Sequence, residues 1–229
     1  RSFEKACPNK ESWRYIPTTV HGPNGKIHLC QYACYDDKAI IEVAQASGLT
    51  ILKENERNPL ICNSYGTGEQ IMDAISKGYR NILIGLGGSA CNDAGCGILE
   101  ALGFRFFDKS GKLLHASGAS LRHISHIDDT NVPAEVFESK FTIACDVNNP
   151  LYGKNGAAHV FARQKGADEQ MIQELDHGLE SFSKHMNQYS INRYGVGNID
   201  WKEGAGAAGG IGAGLMAFLS AEAKSGIDL

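Results

Sequence analysis

The first group of residues that could form a functional site lies in a glycine-rich stretch, residues 81–97, which reads NILIGLGGSACNDAGCG. Its apolar start predicts a short strand, and the glycines after it predict a loop longer than a tight strand-to-helix turn. Such a loop can point several backbone N–H groups at an anion. A carboxylate beside it is suited to act as a general base or a metal ligand, so we expect a functional site here. The candidates are Gly87, Gly88, Ser89, Asn92 and Asp93.

Asp93 has two interpretations. In the first, its carboxylate faces a cleft as a catalytic group. In the second, it only caps the helix that follows, a role that Asn and Asp fill about equally well. We favour the catalytic role, because a helix cap does not require a long glycine-rich loop before it.

The same stretch fits the relaxed dinucleotide-binding pattern G-x-G-x-x-G/A at residues 85–90. Asp108 follows about twenty residues later, where such a fold places an acid against the ribose. In that fold, however, the helix begins within the glycine pattern. Here Asn92, Asp93 and two further glycines would make a poor first helical turn. A dinucleotide-binding oxidoreductase domain is therefore the weaker alternative.

Two further stretches contain candidate site residues. Residues 141–147 predict a strand with Asp146 at its carboxyl end, where open sheets place ligands. This acid is suited to hold Mg²⁺ or to accept a hydroxyl proton, unless it merely ends the strand in an Asx-turn. Residues 203–214 contain six glycines; they fit an anion-binding helix start, but close helix packing is favoured. The remaining candidates are Asn148, Asn149, Gln164 and Lys165, the last as a cation for a phosphate or carboxylate.

The composition is that of a globular protein without a nucleic-acid or membrane signature. Of its 229 residues, 42% are hydrophobic and 21% charged, and the net charge is −4. This balance gives no bulk attraction to nucleic acid or to an anionic membrane. No apolar run approaches the roughly 20 residues of a membrane helix. The seven cysteines are odd in number and contain no Cys-x-x-Cys pair, which indicates reduced thiols in a cytoplasmic protein.

The apolar patterns predict an α/β fold. Residues 13–20 and 27–35 read as two antiparallel strands around a turn. A helix ended by Gly78 leads into the strand at residues 81–85, and residues 168–189 form the clearest amphipathic helix. Hairpins combined with strand–helix units indicate a mixed sheet with flanking helices. We expect residues 1–229 to form a single α/β domain.

Several of these segments resemble one known family. GLGGSACNDAG, at residues 85–95, is similar to the GxGGSATNDGG signature of the bacterial (type I) glycerate kinases. Four more segments resemble blocks of that family and follow one another in the same order as in the family. The resemblance extends roughly from residue 13 to residue 229. The four segments are IIEVAQASGL, NPLICNSYGTGE, ACDVNNPLYGKNGAAHVFARQKGA and EGAGAAGGIGAGLMAFL.

The resemblance implies a cytoplasmic kinase that uses ATP and Mg²⁺ to phosphorylate D-glycerate, without a P-loop. Glycerate is then the small-molecule partner, with no nucleic acid and no membrane involved. A homo-oligomer, the hydroxyl that receives the phosphoryl group and the metal ligands are left open. By resemblance, the active cleft contains Ser89, Asn92, Asp93, Asp146, Asn148, Asn149, Gln164 and Lys165. The chain departs from the family pattern at Cys91, Ala94 and Cys96, where Thr, Gly and Ala are usual.

The resemblance also implies a domain organisation. Family members are longer at both ends, with segments similar to PDSFKxS, DGGEGT and TGEGRxDxQTxxGK, and none of these patterns occurs here. In the family the two ends form a Rossmann-like domain and the middle forms an inserted α/β domain, which this chain resembles. We therefore expect it to supply one wall of the cleft and to have little kinase activity alone. A non-catalytic module that binds a small carboxylate is the other alternative.

Overall fold

The structure, a computed structural model, describes residues 13–225 and contains two β-sheets within them. In spatial order, the strands of the larger sheet are β1 (Arg14–His21), β2 (Ile27–Tyr35), β3 (Lys38–Glu42), β4 (Asn81–Gly85), β8 (Lys140–Ala144) and β9 (Glu222–Lys224). Those of the smaller sheet are β6 (Leu113–Leu114), β5 (Arg105–Phe107) and β7 (His126–Asp128).

The larger sheet is mixed, as the sequence predicts. Strands β1, β2 and β3 pair antiparallel, whereas β3, β4, β8 and β9 run parallel. The register aligns Glu42 with Gly85 and Gly85 with Ala144. The carboxyl ends of β3, β4 and β8 therefore lie in one row, and the loops that follow them leave from the same edge of the sheet.

Seven α-helices connect these strands within the described residues. They are α1 (Val43–Ser47), α2 (Tyr65–Ser76), α3 (Cys96–Ala101), α4 (Ala134–Glu138), α5 (Ala157–Phe161), α6 (Glu169–Tyr194) and α7 (Ala207–Leu219). Single 3₁₀ turns occur at Leu49–Ile51, Glu54–Glu56, Leu121–His123, Arg163–Lys165 and Ile199–Trp201. None of the helices between residues 13 and 225 combines the length and apolarity needed to cross a membrane.

Helix α6 confirms the clearest sequence prediction and runs five residues beyond it, to Tyr194. The side chain of Asp168 caps it by accepting a hydrogen bond from the Met171 N–H at 2.8 Å. Its apolar face packs on α7, where the rings of Phe182 and Phe218 stack with centroids 6.1 Å apart. The elements that sequence patterns did not predict, α1, α4, α5, β7 and β9, have three to five residues each, too few for periodicity to be read.

The cysteines of the described residues are all free, as expected for reduced thiols. Cys145 is partly exposed and the other five are buried. Burial raises the pKa of the Cys91 and Cys96 thiols well above the usual value. These thiols therefore remain protonated and pack as small apolar groups. Cys7 lies outside the described residues.

The glycines of residues 203–214 serve close packing, the interpretation that the sequence favoured. A Cβ at Gly214 would lie 2.1 Å from the carbonyl oxygen of Ala94, in the loop after β4. Helix α7 also begins with a left-handed turn, in which φ is 55° at Ala208, 74° at Gly209 and 89° at Gly210. The start of α7 is thereby pressed against the loop between β4 and α3.

We expect Gly209→Ala to destabilise the protein far more than Gly25→Ala. Both glycines are left-handed, with φ of 74° and 76°, but a Cβ at Gly209 would lie 2.3 Å from the Cys91 carbonyl oxygen, whereas none lies within 4 Å at Gly25. The Gly25 variant should lose about 1 kcal/mol of unfolding free energy for the backbone conformation alone. The Gly209 variant should lose about 3 kcal/mol or more, because the clash is added. Urea denaturation measures the unfolding free energies of both variants. Equal losses would show that the loop between β4 and α3 can move away from α7 at no cost.

Candidate functional site

A pocket with a volume of about 620 Å³ lies at the carboxyl edge of β3, β4 and β8. Its walls come from Glu42, residues 85–89, residues 144–147 and the start of α7. Its volume lies within the range of small-molecule sites, roughly 300–1,000 Å³. The sheet thus places the pocket where open α/β sheets generally bind ligands.

One wall of the pocket is built from two loops that are tied together. The Leu49 N–H donates to the Gly88 carbonyl oxygen at 2.8 Å, and the Ala90 N–H donates to the Ser47 carbonyl oxygen at 2.9 Å. These bonds join the segment after β3 to the glycine-rich loop after β4. Glu42, which ends β3, is consequently held beside that loop.

The glycine-rich loop presents unused hydrogen-bond donors. Within residues 13–225, the backbone N–H groups of Gly87, Gly88 and Ser89 make no hydrogen bond. Gly88 has a φ of 73°, the left-handed conformation that reverses the chain at this point. Because all three residues line the pocket, the donors are available to an anion. This arrangement supports the anion-binding role that the sequence predicts for the loop.

Lys165 lies at the base of the pocket and is 2% exposed. Its Nζ donates to the Ser89 Oγ at 3.0 Å and to the Cys91 carbonyl oxygen at 2.6 Å. Burial lowers the pKa of Lys165 below its usual value, and the nearby Asp93 carboxylate opposes part of that shift. The ammonium therefore fixes the glycine-rich loop from beneath and adds positive charge to the pocket. Its neighbour Gln164 is exposed and also lines the pocket.

Asp93, predicted to face the cleft, lies outside the pocket lining, and its carboxylate points into the protein interior. The residue is fully buried. Its Oδ2 accepts hydrogen bonds from the Ser64 N–H and Oγ, both at 2.8 Å, and from the Gly97 N–H at 3.1 Å. Its Oδ1 accepts one from the Gly95 N–H at 3.1 Å. The carboxylate therefore joins the starts of α2 and α3. It acts as in the helix-capping interpretation, but on two helices instead of one.

The three candidate asparagines also lie outside the pocket lining. Asn92 is fully buried, and neither polar atom of its amide has a hydrogen-bond partner within the described residues. Asn149 donates from Nδ2 to the Asn155 carbonyl oxygen at 2.9 Å, so it orders its own loop. Asn148 is exposed on that loop.

Two carboxylates flank the end of β4 in the pocket. Asp146, two residues beyond β8, is exposed and accepts a hydrogen bond from the Ser225 Oγ at 3.0 Å. Glu42 lies on the other side, at the end of β3. Glu42 was not predicted as a site residue, although it has the signal used for Asp146, an acid at the carboxyl end of a strand.

The dinucleotide-binding interpretation is not supported. Asp108 lies in the turn between β5 and β6 of the smaller sheet, where its Oδ1 accepts hydrogen bonds from the N–H groups of Ser110 and Lys112 at 2.8 and 3.0 Å. It is not a pocket residue within the described part of the chain. The acid that this interpretation assigns to the ribose therefore lies in the smaller sheet, away from the carboxyl edge of β4.

The fold is α/β, and a pocket with unused backbone N–H donors lies at the carboxyl edge of its mixed sheet. The sequence model of the glycerate kinase family matches residues 4–229. The glycerate kinase of Bacillus cereus is 42% identical over 220 residues, covering 95% of this chain and 56% of the relative. The glycerate 2-kinase of Escherichia coli K12 is 44% identical over 214 residues, covering 92% and 54%.

A solved structure agrees with these relatives. The crystal structure of a protein assigned as glycerate kinase 2 of Salmonella typhimurium LT2 superimposes with a TM-score of 0.88 at 38% identity. The match covers 94% of this chain and 57% of that one. The chain belongs to the glycerate kinase family. It spans about half the length of the relatives it matches.

We expect Asp93→Asn to lower the free energy of unfolding by about 1–3 kcal/mol, because whichever way the amide is turned, its NH₂ faces a buried donor. Asp108→Asn is the matched control, since Asp108 also accepts several hydrogen bonds but at the surface, where water replaces them. The control should lose less than about 1 kcal/mol. Chemical denaturation of both variants measures these losses of unfolding free energy. If Asp93→Asn loses no more than Asp108→Asn, the buried carboxylate does not hold α2 and α3 together.

Proposed function

We propose that the natural protein containing this chain transfers the γ-phosphoryl group of ATP to D-glycerate. Membership of the glycerate kinase family supports the reaction class. The observation that carries the proposal is the set of three unused N–H groups at Gly87, Gly88 and Ser89, above the buried ammonium of Lys165. Such donors suit the carboxylate of glycerate or the transferred phosphoryl group, both of which are anions.

The reaction needs positioning more than covalent help from the protein. The bond between the γ-phosphorus and the oxygen bridging to the β-phosphate breaks, and a bond to a glycerate hydroxyl oxygen forms. That hydroxyl gives its proton to a carboxylate of the pocket, for which Asp146 is the candidate, or to water, and ADP leaves. Phosphoryl transfer depends on holding the reacting oxygens in line and on stabilising charge. A loop fixed by Lys165 and by its bonds to the segment after β3 is suited to this task.

The pocket residues fit Mg²⁺ that arrives with the nucleotide. Within residues 13–225, no group of three or more His, Cys, Asp or Glu side chains is placed to hold a metal ion alone. Mg²⁺ bound with a nucleotide typically uses one or two carboxylates together with phosphates and water. Asp146, exposed in the pocket, is the carboxylate that would hold it. The ion would supply charge neutralisation at the phosphates.

We further propose that this chain forms one wall of the active cleft. The pocket lies open along the carboxyl edge of the sheet, with the glycine-rich loop on one side and residues 144–147 on the other. A cleft of this kind leaves room for a nucleotide from a facing domain. The proposal corresponds to the inserted domain that the sequence resemblance implies.

An ADP-release assay of the full-length protein with D-glycerate and ATP–Mg²⁺ tests the proposed function. We expect turnover of about 1–100 s⁻¹, the usual range of kinases, and ³¹P NMR of the product then identifies the phosphorylated hydroxyl. Omission of glycerate is the control for ATP hydrolysis. Absence of glycerate-dependent ADP release, with NADH binding in a fluorescence titration, would instead favour the oxidoreductase alternative.

We expect Asp146→Asn in the full-length protein to lower kcat by roughly 10²-fold or more, with little change in thermal stability. If the carboxylate holds Mg²⁺, the Mg²⁺ concentration for half-maximal rate also rises; if it accepts the hydroxyl proton, that concentration stays the same. Glu222→Gln is the matched control, an exposed acid on the adjacent strand β9 that does not line the pocket. A normal kcat for Asp146→Asn would show that Asp146 has no catalytic role and only ends the strand in a turn.

A further inference from the structure

Glu42 is a charged residue of the pocket to which the proposed mechanism gives no role. It is partly buried and lines the pocket at the end of β3. Among the residues from 13 to 225, none forms a hydrogen bond or ion pair with its carboxylate. Because Glu42 lines the pocket and none of these residues engages its carboxylate, the carboxylate is available to a group that enters the pocket.

The backbone holds Glu42 next to the proposed anion-binding loop. Glu42 pairs in register with Gly85, and adjacent strands lie about 4.8 Å apart. Two residues further on, Gly87 begins the run of unused N–H donors. The hydrogen bonds of Leu49 and Ser47 to the same loop keep this spacing. A three-carbon acid whose carboxylate rests on these donors therefore presents its hydroxyl groups within reach of Glu42.

The charges of the pocket restrict what Glu42 can contact. A carboxylate repels the carboxylate of a substrate, so its partner is a hydroxyl donor or a cation. Asp146 is exposed, as suits Mg²⁺, which keeps several waters. Glu42 instead shares its wall of the pocket with apolar Ala44 and Leu49, a setting for direct contact with a hydroxyl group.

We propose that Glu42 accepts a hydrogen bond from a hydroxyl group of the substrate and thereby selects hydroxylated acids over their deoxy analogues. The proposal rests on the proposed function for the identity of the substrate. A site built to hydrogen-bond a hydroxyl group rejects an analogue without it, because the protein group is then left unpaired. Glu42 is thus a specificity residue that contacts the substrate.

Calorimetric binding of D-glycerate to the full-length protein tests the proposal independently of turnover. Glu42→Gln should weaken binding by about 10-fold, because the amide oxygen still accepts a hydrogen bond but carries no charge. Glu42→Ala should weaken binding by more, because no acceptor is left. The KM for ATP and the Mg²⁺ requirement should stay within about 2-fold of the wild-type values, as for groups remote from the change. Glu54→Gln is the matched control, an exposed acid in the same segment that does not line the pocket.

Two analogues provide a readout that a purely structural role would not move. D-lactate lacks the 3-hydroxyl group and 3-hydroxypropanoate lacks the 2-hydroxyl group. In the wild-type protein, the analogue without the contacted hydroxyl should bind more weakly than D-glycerate, and in Glu42→Gln this difference should narrow. Three results for Glu42→Gln would each overturn the proposal. They are an unchanged affinity for D-glycerate, an unchanged difference in affinity between D-glycerate and the analogue, and a raised Mg²⁺ requirement.

The two proposals fail in different ways. If the wild-type protein binds D-glycerate without releasing ADP, the kinase proposal fails, and the binding data still decide the role of Glu42. If turnover is normal and Glu42→Gln binds D-glycerate like the wild type, only the Glu42 proposal fails. Absence of D-glycerate binding to the wild-type protein would overturn both.

Discussion

The geometry of the pocket depends on the burial of the Lys165 ammonium beneath the glycine-rich loop. A charge removed from water must regain its interactions inside the protein, or it destabilises the fold. Here the Ser89 hydroxyl and the Cys91 carbonyl oxygen accept hydrogen bonds from Nζ, and nearby Asp93 opposes the effect of burial on the pKa of Lys165. Because both acceptors belong to the loop, the loop cannot shift without leaving this charge unpaired. The N–H donors of Gly87 and Gly88 are held in place as a result.

The same loop has opposite roles on its two sides. Its first half, through Ser89, faces the pocket and keeps donors unused. Its second half turns inward, where Asp93 gathers the N–H groups that begin α2 and α3. Rigidity of the binding half thus derives from the satisfied hydrogen bonds of the buried half. Preorganised donors of this kind are effective because no reorganisation is required when the ligand binds.

Backbone strain is concentrated where the loop meets α7. Ala94 and Ala208 have φ of 51° and 55°, left-handed values that are unfavourable for residues with a Cβ and cost of order 1–3 kcal/mol each. Ala94 occupies the position where the resembling family signature has glycine, and its φ explains why glycine suits that position. Close contact with Gly210 and Gly214 leaves α7 little freedom to relax this strain. Packing at this junction therefore maintains the shape of the pocket floor.

The sequence by itself determined the elements whose patterns are long or strongly marked. The β1–β2 hairpin, helices α2 and α6, strand β4 and the mixed sheet were predictable, because apolar periodicity and turn residues act locally. The glycine-rich loop was recognisable for the same reason, and so was the family. Short elements such as α1 and β9 were not, since a few residues carry no periodicity and form only when the sheet is assembled.

Tertiary structure alone decided which polar residues reach the pocket. Asp93 and Asp146 both looked catalytic as acids near strand ends, yet one is buried beneath α2 and the other is exposed in the pocket. Glu42 went unnoticed because its importance depends on the parallel pairing of β3 with β4, which aligns it with Gly85. The direction in which a loop residue points is set by contacts with segments far away in sequence, here Ser64 for Asp93 and residues 47–49 for the pocket wall. Sequence spacing does not contain those contacts, whereas the folded sheet imposes them.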